Sequence, residues 1–459
     1  MMRDTDRKLD IILIHIDDWF PMNNALAILD PVLKQAGFRS QIVNSSQINQ
    51  YLDQADVFGI SVMDHTYRIA QTLTKHLQDK TVIWGGWTAT ALPEYILTEN
   101  PGVDYVVLQE GERRLVTLLR SLKQPELFDA LDGIAYRDGQ NTICVRPPEG
   151  FVDMNNLPLP NEMAVQDNLV FVEVARGCYG RCGYCQENSH MRFKNAIKVV
   201  DEIQAWHQKG FKKFYLGNAN SLANGPLLRS LMDELESRGL PIEFCLVGRP
   251  EDVLRNYDTL ERIFKNPTQR LITIEVGIEA NTQRLLDLLG RRGSPATNHQ
   301  AITALRELQQ KYSPTTRILA NMILFSHYDM TMEELIANIR FIGEYGCTKD
   351  VMAMNLYGVA MTPVWKDMRA RGFLTNSNKG LQIQEYAFTD ETVNRLFQKF
   401  SSYFHALLSV RQVAGKHAIY WGYKRIQSQI YEKIVEFSAA ENIHARIMRF
   451  LDSPEESLN

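Results

Sequence analysis

The sequence repeats one pattern over most of its length: a short apolar run, then a longer segment with apolar residues at helical spacing. Before residue 125 the apolar runs predict five strands, at 9–16, 40–43, 56–62, 81–84 and 105–107. Strands that alternate with helices of this length form parallel crossover units. We therefore predict an α/β fold that begins with an open, doubly wound, Rossmann-like domain over residues 1–125.

The same alternation restarts after residue 168. Six apolar runs predict strands, at 169–175, 213–216, 242–248, 271–278, 318–325 and 351–357. Residues 126–168 are predicted to hold a β-hairpin around Asp138-Gly139 and a proline-marked linker. The end of the chain, 376–459, is predicted to be a helical region, whose aromatic residues suit a core and, as an alternative, a groove for a long substrate.

The composition limits the classes of partner. Lys and Arg number 50 against 54 Asp and Glu, so no basic surplus points to nucleic acid or to an acidic membrane surface. Apolar runs stay below the ~18 residues of a membrane span, and the apolar run near the N-terminus is too short for a signal peptide. The chain has six cysteines, three of them in one cluster, which suits a reducing compartment. We expect a soluble cytoplasmic protein.

The clustered cysteines are Cys178, Cys182 and Cys185, directly after the predicted strand 169–175. Three thiolates so close in sequence suit one metal centre. A structural zinc site would need a fourth ligand, such as Cys245 or His190, whereas an iron–sulfur cube held by three cysteines leaves one iron free. Three unligated thiols are a further alternative.

The spacing Cys-x3-Cys-x2-Cys, with the aromatic Tyr184 before the third cysteine, resembles the signature of the radical S-adenosylmethionine (SAM) enzymes. This resemblance implies a partial (βα)6 TIM-like barrel over 169–375 with a [4Fe-4S] cluster on Cys178, Cys182 and Cys185. In that family the free iron chelates SAM, and an electron from the cluster releases a 5'-deoxyadenosyl radical that takes hydrogen from an unactivated carbon. It also implies an electron donor such as flavodoxin or ferredoxin and a peptide or small-molecule substrate.

The resemblance also assigns SAM contacts. Gly217 and Asn218 stand where the family gathers the SAM amino group, although the usual Gly-Gly-Glu is missing. Glu279, in Gly-Ile-Glu, matches the ribose position, and Tyr184 would lie near the adenine. Arg249 would pair with the SAM carboxylate or with Glu279. A surface carboxylate at a helix N-terminus is the alternative for Glu279.

Side-chain alternation along the strands predicts what lies inside the barrel. Glu275 shares a face with Glu279, and Cys245 and Glu243 share a face with Arg249, so an inward ion network is one interpretation. A bulge that breaks the alternation is the other.

Two strand ends carry polar side chains at the rim where barrels of this type bind substrate. His327 follows the fifth strand, and Asn355 and Tyr357 end the sixth. We predict that these three residues contact substrate, while a histidine in a loop is also often incidental.

The first domain resembles the cobalamin (B12)-binding domain that precedes the radical core in one radical SAM class. The resemblance assigns Ser61, Gly85 and Gly86 to the nucleotide tail of cobalamin, although a glycine pair also suits a plain tight turn. The chain has no Asp-x-His-x-x-Gly motif, and Gln109 stands where that class has glycine. Both a cobalamin-binding domain and a domain that keeps only the fold therefore remain open.

Two reaction outcomes follow from the resemblance. Cobalamin-dependent methyl transfer to the substrate radical is slightly favoured. Peptide epimerisation needs a cysteine hydrogen donor, for which Cys245 and Cys347 are candidates, although Cys347 is expected at the opposite end of the barrel. A corrinoid and iron–sulfur carrier without enzymatic activity is a third hypothesis, but such a protein normally supplies a fourth cluster ligand.

Overall fold

A computed structural model describes residues 8–16, 22–187, 190–217, 220–346, 349, 352–373, 381, 386–409 and 416–453, with the helical backbone alone for 405–409 and 416–421. Contacts between residues divide the chain into two compact units. Unit 1 comprises residues 1–171 and 359–383, and unit 2 comprises 172–358 and 384–459.

Unit 1 is built on a seven-stranded sheet. Its strands are β1 (Ile11–His15), β2 (Ser40–Asn44), β3 (Val57–Ser61), β4 (Thr81–Gly85), β5 (Tyr105–Val107), β6 (Ile134–Arg137) and β7 (Ile143–Arg146). The order is β2-β1-β3-β4-β5-β6-β7, parallel up to β5 and antiparallel beyond it. The predicted doubly wound fold is confirmed, and the predicted hairpin forms the antiparallel edge of this sheet.

Helices cover both faces of this sheet because the strand residues alternate between two apolar layers. The helices are α1 (Asn24–Gln35), α2 (Tyr67–His76), α3 (Trp87–Ala91), α4 (Pro93–Glu99) and α5 (Gly111–Ser121). Ile12 and Ile14 of β1 pack into one layer with α2 and α4, whereas Ile11 and Leu13 pack into the other with α1 and α5. Both faces are therefore buried, as in other parallel sheets.

The second sheet is a parallel array with one antiparallel edge. Its strands are β8 (Val165–Gln166), β9 (Leu169–Glu173), β12 (Lys213–Gly217), β13 (Ile242–Gly248), β14 (Gln269–Glu279), β15 (Arg317–Phe325) and β16 (Met352–Asn355), while β10 (Ala175–Arg176) and β11 (Arg192–Phe193) form a separate two-stranded ribbon. From β9 to β16 the strands lie side by side in chain order. This is the arrangement of a partial barrel, as predicted, and the carboxyl ends of its strands share one rim.

The remaining helices follow the strands of this second sheet and continue to the end of the described chain. They are α6 (Ala196–Gln208), α7 (Gly225–Ser237), α8 (Pro250–Arg255), α9 (Tyr257–Lys265), α10 (Gln283–Leu288), α11 (Pro295–Tyr312), α12 (Met332–Tyr345), α13 (Pro363–Ala370), α14 (Glu391–Ser409), α15 (Lys416–Ser438) and α16 (Ile443–Asp452). By contacts α13 groups with unit 1. The aromatic stripe of α14 is core, since Phe397 and Phe400 are buried and pack on Phe325. Among the helices in the described ranges, none has the length and apolar character that crossing a membrane requires.

Candidate functional site

The cysteine loop begins at the carboxyl end of β9 and is closed at its base by a short ribbon. Strands β10 and β11 pair antiparallel, with Ala175 opposite Phe193. Directly after β11, the ammonium of Lys194 donates to both carboxylate oxygens of Glu202 on α6 at 2.9 Å, and both side chains are buried. The two ends of the loop are thereby fixed to the barrel.

The three thiols differ in their surroundings. Cys178 and Cys182 are half-buried, and Cys185 is exposed. The Sγ of Cys178 accepts the Gly180 N–H at 3.3 Å, and the Sγ of Cys185 accepts the Glu187 N–H at 3.4 Å. Burial raises the pKa of the Cys178 thiol, against the opposing effects of this N–H and of the charge on Arg249. Backbone donors to sulfur suit thiolates that carry a cluster.

The cysteine loop offers three thiols as ligands. Within the described ranges, no three His, Cys, Asp or Glu side chains converge as they would around one metal ion. The alternative zinc ligand Cys245 lies within β13, where its thiol forms a hydrogen bond with Thr273. A cluster of the cube type takes one thiolate on each of three irons, so three cysteines in one loop match the number of ligands that it requires.

A second stretch of chain, residues 289–291, packs against the cysteine loop. The N–H of Gly183 donates to the Leu289 carbonyl at 2.7 Å. Gly290 has a positive φ of 62°, and a Cβ there would stand 2.9 Å from the carbonyl oxygen of Arg181. Glycine is therefore needed at 290 on both steric and conformational grounds.

The next residue, Arg291, reaches a cysteine sulfur. Its Nη1 lies 3.9 Å from the Sγ of Cys182, and its Nη2 donates to the carbonyl of Gly277. The side chain is buried. No motif in the sequence marks Arg291, and only its position next to Gly290 at the end of a short helical segment offers a signal.

Three of the predicted SAM residues come together beside this arginine. Burial raises the pKa of Glu279, whereas the charge of Arg291, a hydrogen bond from the Tyr184 hydroxyl and the charge of Arg249 stabilise its carboxylate. Burial, reinforced by Glu279, also raises the pKa of Tyr184. The structure therefore gathers Tyr184, Arg249 and Glu279 around Arg291 at one end of the parallel strands.

Arg249 is held tightly at the start of α8. It is 3% exposed, its Nε lies 2.6 Å from Oε1 of Glu251, and its guanidinium lies 5.2 Å from the centre of the Tyr179 ring. The Tyr179 hydroxyl in turn donates to Asp252 at 2.6 Å. This network fixes the guanidinium against the cysteine loop.

Of the two predicted contacts to the SAM amino group, the structure describes Gly217. Gly217 ends β12, is buried, and accepts the Val174 N–H at 3.1 Å. Asn218 lies outside the described residues. Just beyond it, Asn220 is fully buried and donates to Asp252 at 2.6 Å.

A bulge separates the two glutamates of β14. Gly277 pairs with Asn321 of β15 but Glu279 pairs with Met322, so the alternation breaks between them. Glu275 accepts a hydrogen bond from Asn321 and is attracted by Arg317, and burial raises its pKa. The alternative of a bulge is thus what the structure shows for Glu275 and Glu279.

The structure also describes the two residues of β13 that were predicted to point into the barrel, Glu243 and Cys245. Glu243 pairs with Arg270 at 2.6 Å and is half-buried, so it belongs to a separate ion pair. Cys245 is buried, and burial raises the pKa of its thiol to about 11. Cys347 lies outside the described residues.

The predicted substrate residues sit within packed surroundings. His327 is 3% exposed, and its Nδ1 accepts the Asp329 N–H at 3.1 Å. Asn355 is 7% exposed and donates to the Leu356 carbonyl at 3.3 Å. Tyr357 is half-buried and shares a hydrogen bond with Tyr423. Their contact with substrate stays a prediction.

In unit 1 the three predicted cobalamin residues are neighbours. Ser61 ends β3 and pairs in register with Gly85, which ends β4. A Cβ on Gly86 would stand 3.3 Å from the Ser61 hydroxyl, and all three residues are partly exposed. A hydroxyl and two glycines at the carboxyl edge of a parallel sheet suit the close approach of a nucleotide group.

Polar contacts among four segments complete the edge of this sheet. Thr88 donates to the carboxylate of Asp64, which also accepts the Ala360 N–H at 3.2 Å. Gln109 adopts a positive φ of 58°, and its N–H donates to Thr90 at 2.8 Å. The glutamine at 109 therefore takes the backbone conformation that glycine adopts most easily.

Comparison with known proteins matches one stretch of each unit to a family model. Residues 172–342 match the model of the Radical SAM superfamily, and residues 20–119 match that of the B12 binding domain. The anaerobic magnesium-protoporphyrin IX monomethyl ester cyclase of Cereibacter sphaeroides is 26% identical over 272 residues, which cover 54% of this chain and 42% of that protein. The chain spans about half the length of the cyclases that it matches, with 50% covered in the Synechocystis protein.

Solved structures share the fold. The cobalamin-dependent SAM radical enzyme OxsB with aqua-cobalamin bound aligns with a TM-score of 0.72 at 16% identity, over 96% of this chain and 75% of that one. The radical SAM methyltransferase TsrM from Kitasatospora setae, with tryptophan and a SAM analogue bound, aligns with a TM-score of 0.60 at 15% identity, over 79% and 76%. The chain thus matches a B12 binding domain followed by a Radical SAM superfamily domain, and the solved structures share its fold.

Proposed function

We propose that this chain reductively cleaves SAM and uses the 5'-deoxyadenosyl radical to modify an unactivated C–H centre of a peptide or natural-product substrate. The observation that carries this proposal is the cysteine loop at the end of β9, with Arg291 at the sulfur of Cys182 and Glu279 beside it. The electron comes from a small donor such as flavodoxin or ferredoxin.

When bound, a [4Fe-4S] cluster supplies the electron and the open iron that SAM needs. The residues of the chain hold and orient these groups. Cys178, Cys182 and Cys185 supply the thiolates. Glu279 offers carboxylate oxygens to the ribose hydroxyls, and Tyr184, which donates to Glu279, fixes the carboxylate and offers a ring face to the adenine.

Arg249 completes this set as the predicted partner of the SAM carboxylate. Because a buried guanidinium beside a loop of thiolates is little screened by water, it favours an anionic group strongly. Gly217 and Asn218 remain proposed contacts of the amino group.

The test is SAM cleavage by protein assembled without oxygen. With dithionite, the wild-type chain should release 5'-deoxyadenosine, and a variant with alanine at all three cysteines should release none. A Cys144→Ala variant, which alters a half-exposed thiol of unit 1, serves as the control. Zinc in place of iron, or protein without acid-labile sulfide, would contradict the proposal.

Within this activity we propose C-methylation that depends on cobalamin held at Ser61, Gly85 and Gly86. The adjacency of these residues at one sheet edge supports it. Cobalamin supplies the methyl group when bound. Protein that has been incubated with cobalamin and then desalted should keep the corrin absorbance, and complete loss of that absorbance would exclude this outcome.

Peptide epimerisation is the second candidate, favoured by one observation. A hydrogen-atom donor must keep its S–H bond, and Cys245 is a buried free cysteine, whose pKa burial raises above that of an exposed thiol. In this case Cys245→Ala should abolish deuterium incorporation at a peptide α-carbon while release of 5'-deoxyadenosine continues. Incorporation at the wild-type rate would exclude Cys245 as the donor. Cys347 is the other proposed donor.

A further inference from the structure

Two arginines from different parts of unit 2 flank the cysteine loop. Arg291 follows α10, and Arg249 precedes α8. Their exposed fractions are 8% and 3%. A guanidinium stays protonated at any pH that a protein tolerates, so each arginine brings a permanent and largely buried positive charge beside the cysteine loop.

Arg291 acts on the side of Cys182. Its Nη1 lies 3.9 Å from the Sγ of that cysteine, while Nη2 is fixed by the Gly277 carbonyl. Gly277 itself leaves room for this contact, because a Cβ there would stand 3.0 Å from Nη2 of Arg291. The guanidinium is therefore held in place against the sulfur.

Arg249 acts on the side of Cys178. A Cβ built at Gly180 would meet Nη1 of Arg249 at 2.3 Å and the Sγ of Cys178 at 3.3 Å, so both atoms lie around the same glycine. Glu251 pairs with Arg249 and Glu279 attracts Arg291, so each cation also has an acidic partner. The sulfurs themselves, however, contact donors. The guanidinium of Arg291 contacts the Sγ of Cys182, and the Gly180 N–H, which lies beside Arg249, contacts the Sγ of Cys178.

One-electron reduction adds a negative charge to a group that already carries three thiolates. Nearby cations and hydrogen bonds to sulfur stabilise the reduced form and raise the reduction potential. The effect is strong where burial limits screening by water and salt.

We propose that the positive charges of Arg249 and Arg291 raise the reduction potential of the cluster. A flavodoxin- or ferredoxin-type donor can then deliver its one electron. This inference rests on the proposed function, since it needs the cluster to be present. It concerns a separate property, because a chain without these charges would still hold the cluster and reduce it at a lower potential.

The experiment is a redox titration of SAM-free, reconstituted protein, with dithionite and mediators, followed by the EPR signal of the reduced cluster. Iron and sulfide contents are measured first. Arg291→Gln and Arg249→Gln should each shift the midpoint to lower potential, and the double variant should shift it further. Arg291→Lys keeps the charge and should shift it less than Arg291→Gln.

The matched control is Arg284→Gln. Arg284 lies on α10 near Arg291, but its side chain is 53% exposed and pairs with Glu334 at 2.7 Å. The midpoint potential of the cluster in Arg284→Gln should equal that in the wild type. If one glutamine variant fails to assemble a cluster, the other glutamine variant and Arg291→Lys decide the question.

Midpoints equal to the wild type in fully loaded Arg291→Gln and Arg249→Gln would overturn the inference. A wild-type protein without iron and sulfide would instead overturn the proposed function. The two failures are therefore distinguished by the composition of the wild-type protein before any titration begins.

Discussion

Gly180 lies so close to Arg249 that the cysteine loop has no room for a side chain between them. A Cβ at Gly180 would stand 2.3 Å from Nη1 of Arg249, well inside any van der Waals contact. Between the cysteine loop and the side chain of Arg249 at the start of α8, there is therefore room only for the hydrogen atom of a glycine.

We expect Gly180→Ala to lower the iron and sulfide bound per chain, because the added methyl must displace either the guanidinium or the loop that carries Cys178. Arg249→Ala in the same chain removes the clashing atoms and should restore much of the cluster content. Full loading of the single variant would show that the contact is not constraining.

The buried pair of Lys194 and Glu202 should matter for stability. Breaking such a pair by removing one partner costs about 3–5 kcal/mol, because the other charge stays buried. Lys194→Met should therefore lower the free energy of unfolding in urea by that order, and Lys194→Met with Glu202→Leu should recover much of the loss. Lys198→Ala is the control, since its ammonium lies farther from the same carboxylate, at 3.6 Å, and its side chain is partly exposed, so its loss should cost less than the loss of the buried Lys194. A loss in Lys194→Met no larger than in the control would contradict the prediction.

Gly86→Ala should damage the edge of the first sheet. Gly86 has a positive φ of 95°, and a Cβ there would stand 2.7 Å from the backbone oxygen of Val62. We expect a loss of about 1–3 kcal/mol from the strained conformation, with weaker retention of cobalamin after desalting. Gly139→Ala, at a position with nothing within 4 Å, should leave both measurements unchanged. Equal behaviour of the two variants would rule out this packing argument.

Because of the Cys245 thiol, the free energy of unfolding should depend on pH in the alkaline range. Its pKa is raised by burial from 9.0 to about 11, so the unfolded chain loses this proton at lower pH than the folded one. Stability should fall as pH rises from the unfolded to the folded value, by up to roughly 2–3 kcal/mol. The Cys245→Ala variant should lack this part of the decline. The measurement is the free energy of urea unfolding of the wild type minus that of the variant, taken at several pH values across that range. A difference that stays constant with pH would refute it.

Local sequence patterns predicted the main strands of both sheets, because each is a run of apolar residues, but they did not predict the short strands β8 and β11. They did not predict the break between α8 and α9, where the side chain of Asn256 donates to the Leu222 and Asp252 carbonyls at 2.9 and 2.8 Å. Nor did they reveal that residues 359–383 group with unit 1, where Ala360 and Leu381 join an apolar core. Both depend on contacts between segments far apart in the chain.

The candidate site shows the same limit. The cysteines, Tyr184, Arg249 and Glu279 were found through a motif or through their place at a strand end. Arg291 was not, because its contact with Cys182 spans 109 residues and no local spacing announces it. Lys194 escaped notice for a different reason: a lysine after a two-residue strand looks like any solvated charge until Glu202 is placed beside it.

The packing of residues 289–291 on the cysteine loop bears on how the protein matures. A chain that leaves the ribosome exposes its three thiols long before Gly290 is synthesised, whereas in the folded chain Gly183 and Cys182 contact Leu289 and Arg291. A cluster inserted into the nascent loop would therefore be bound before these contacts exist. We expect the cluster to be held more firmly once β14 and α10 have folded and residues 289–291 have packed on the loop.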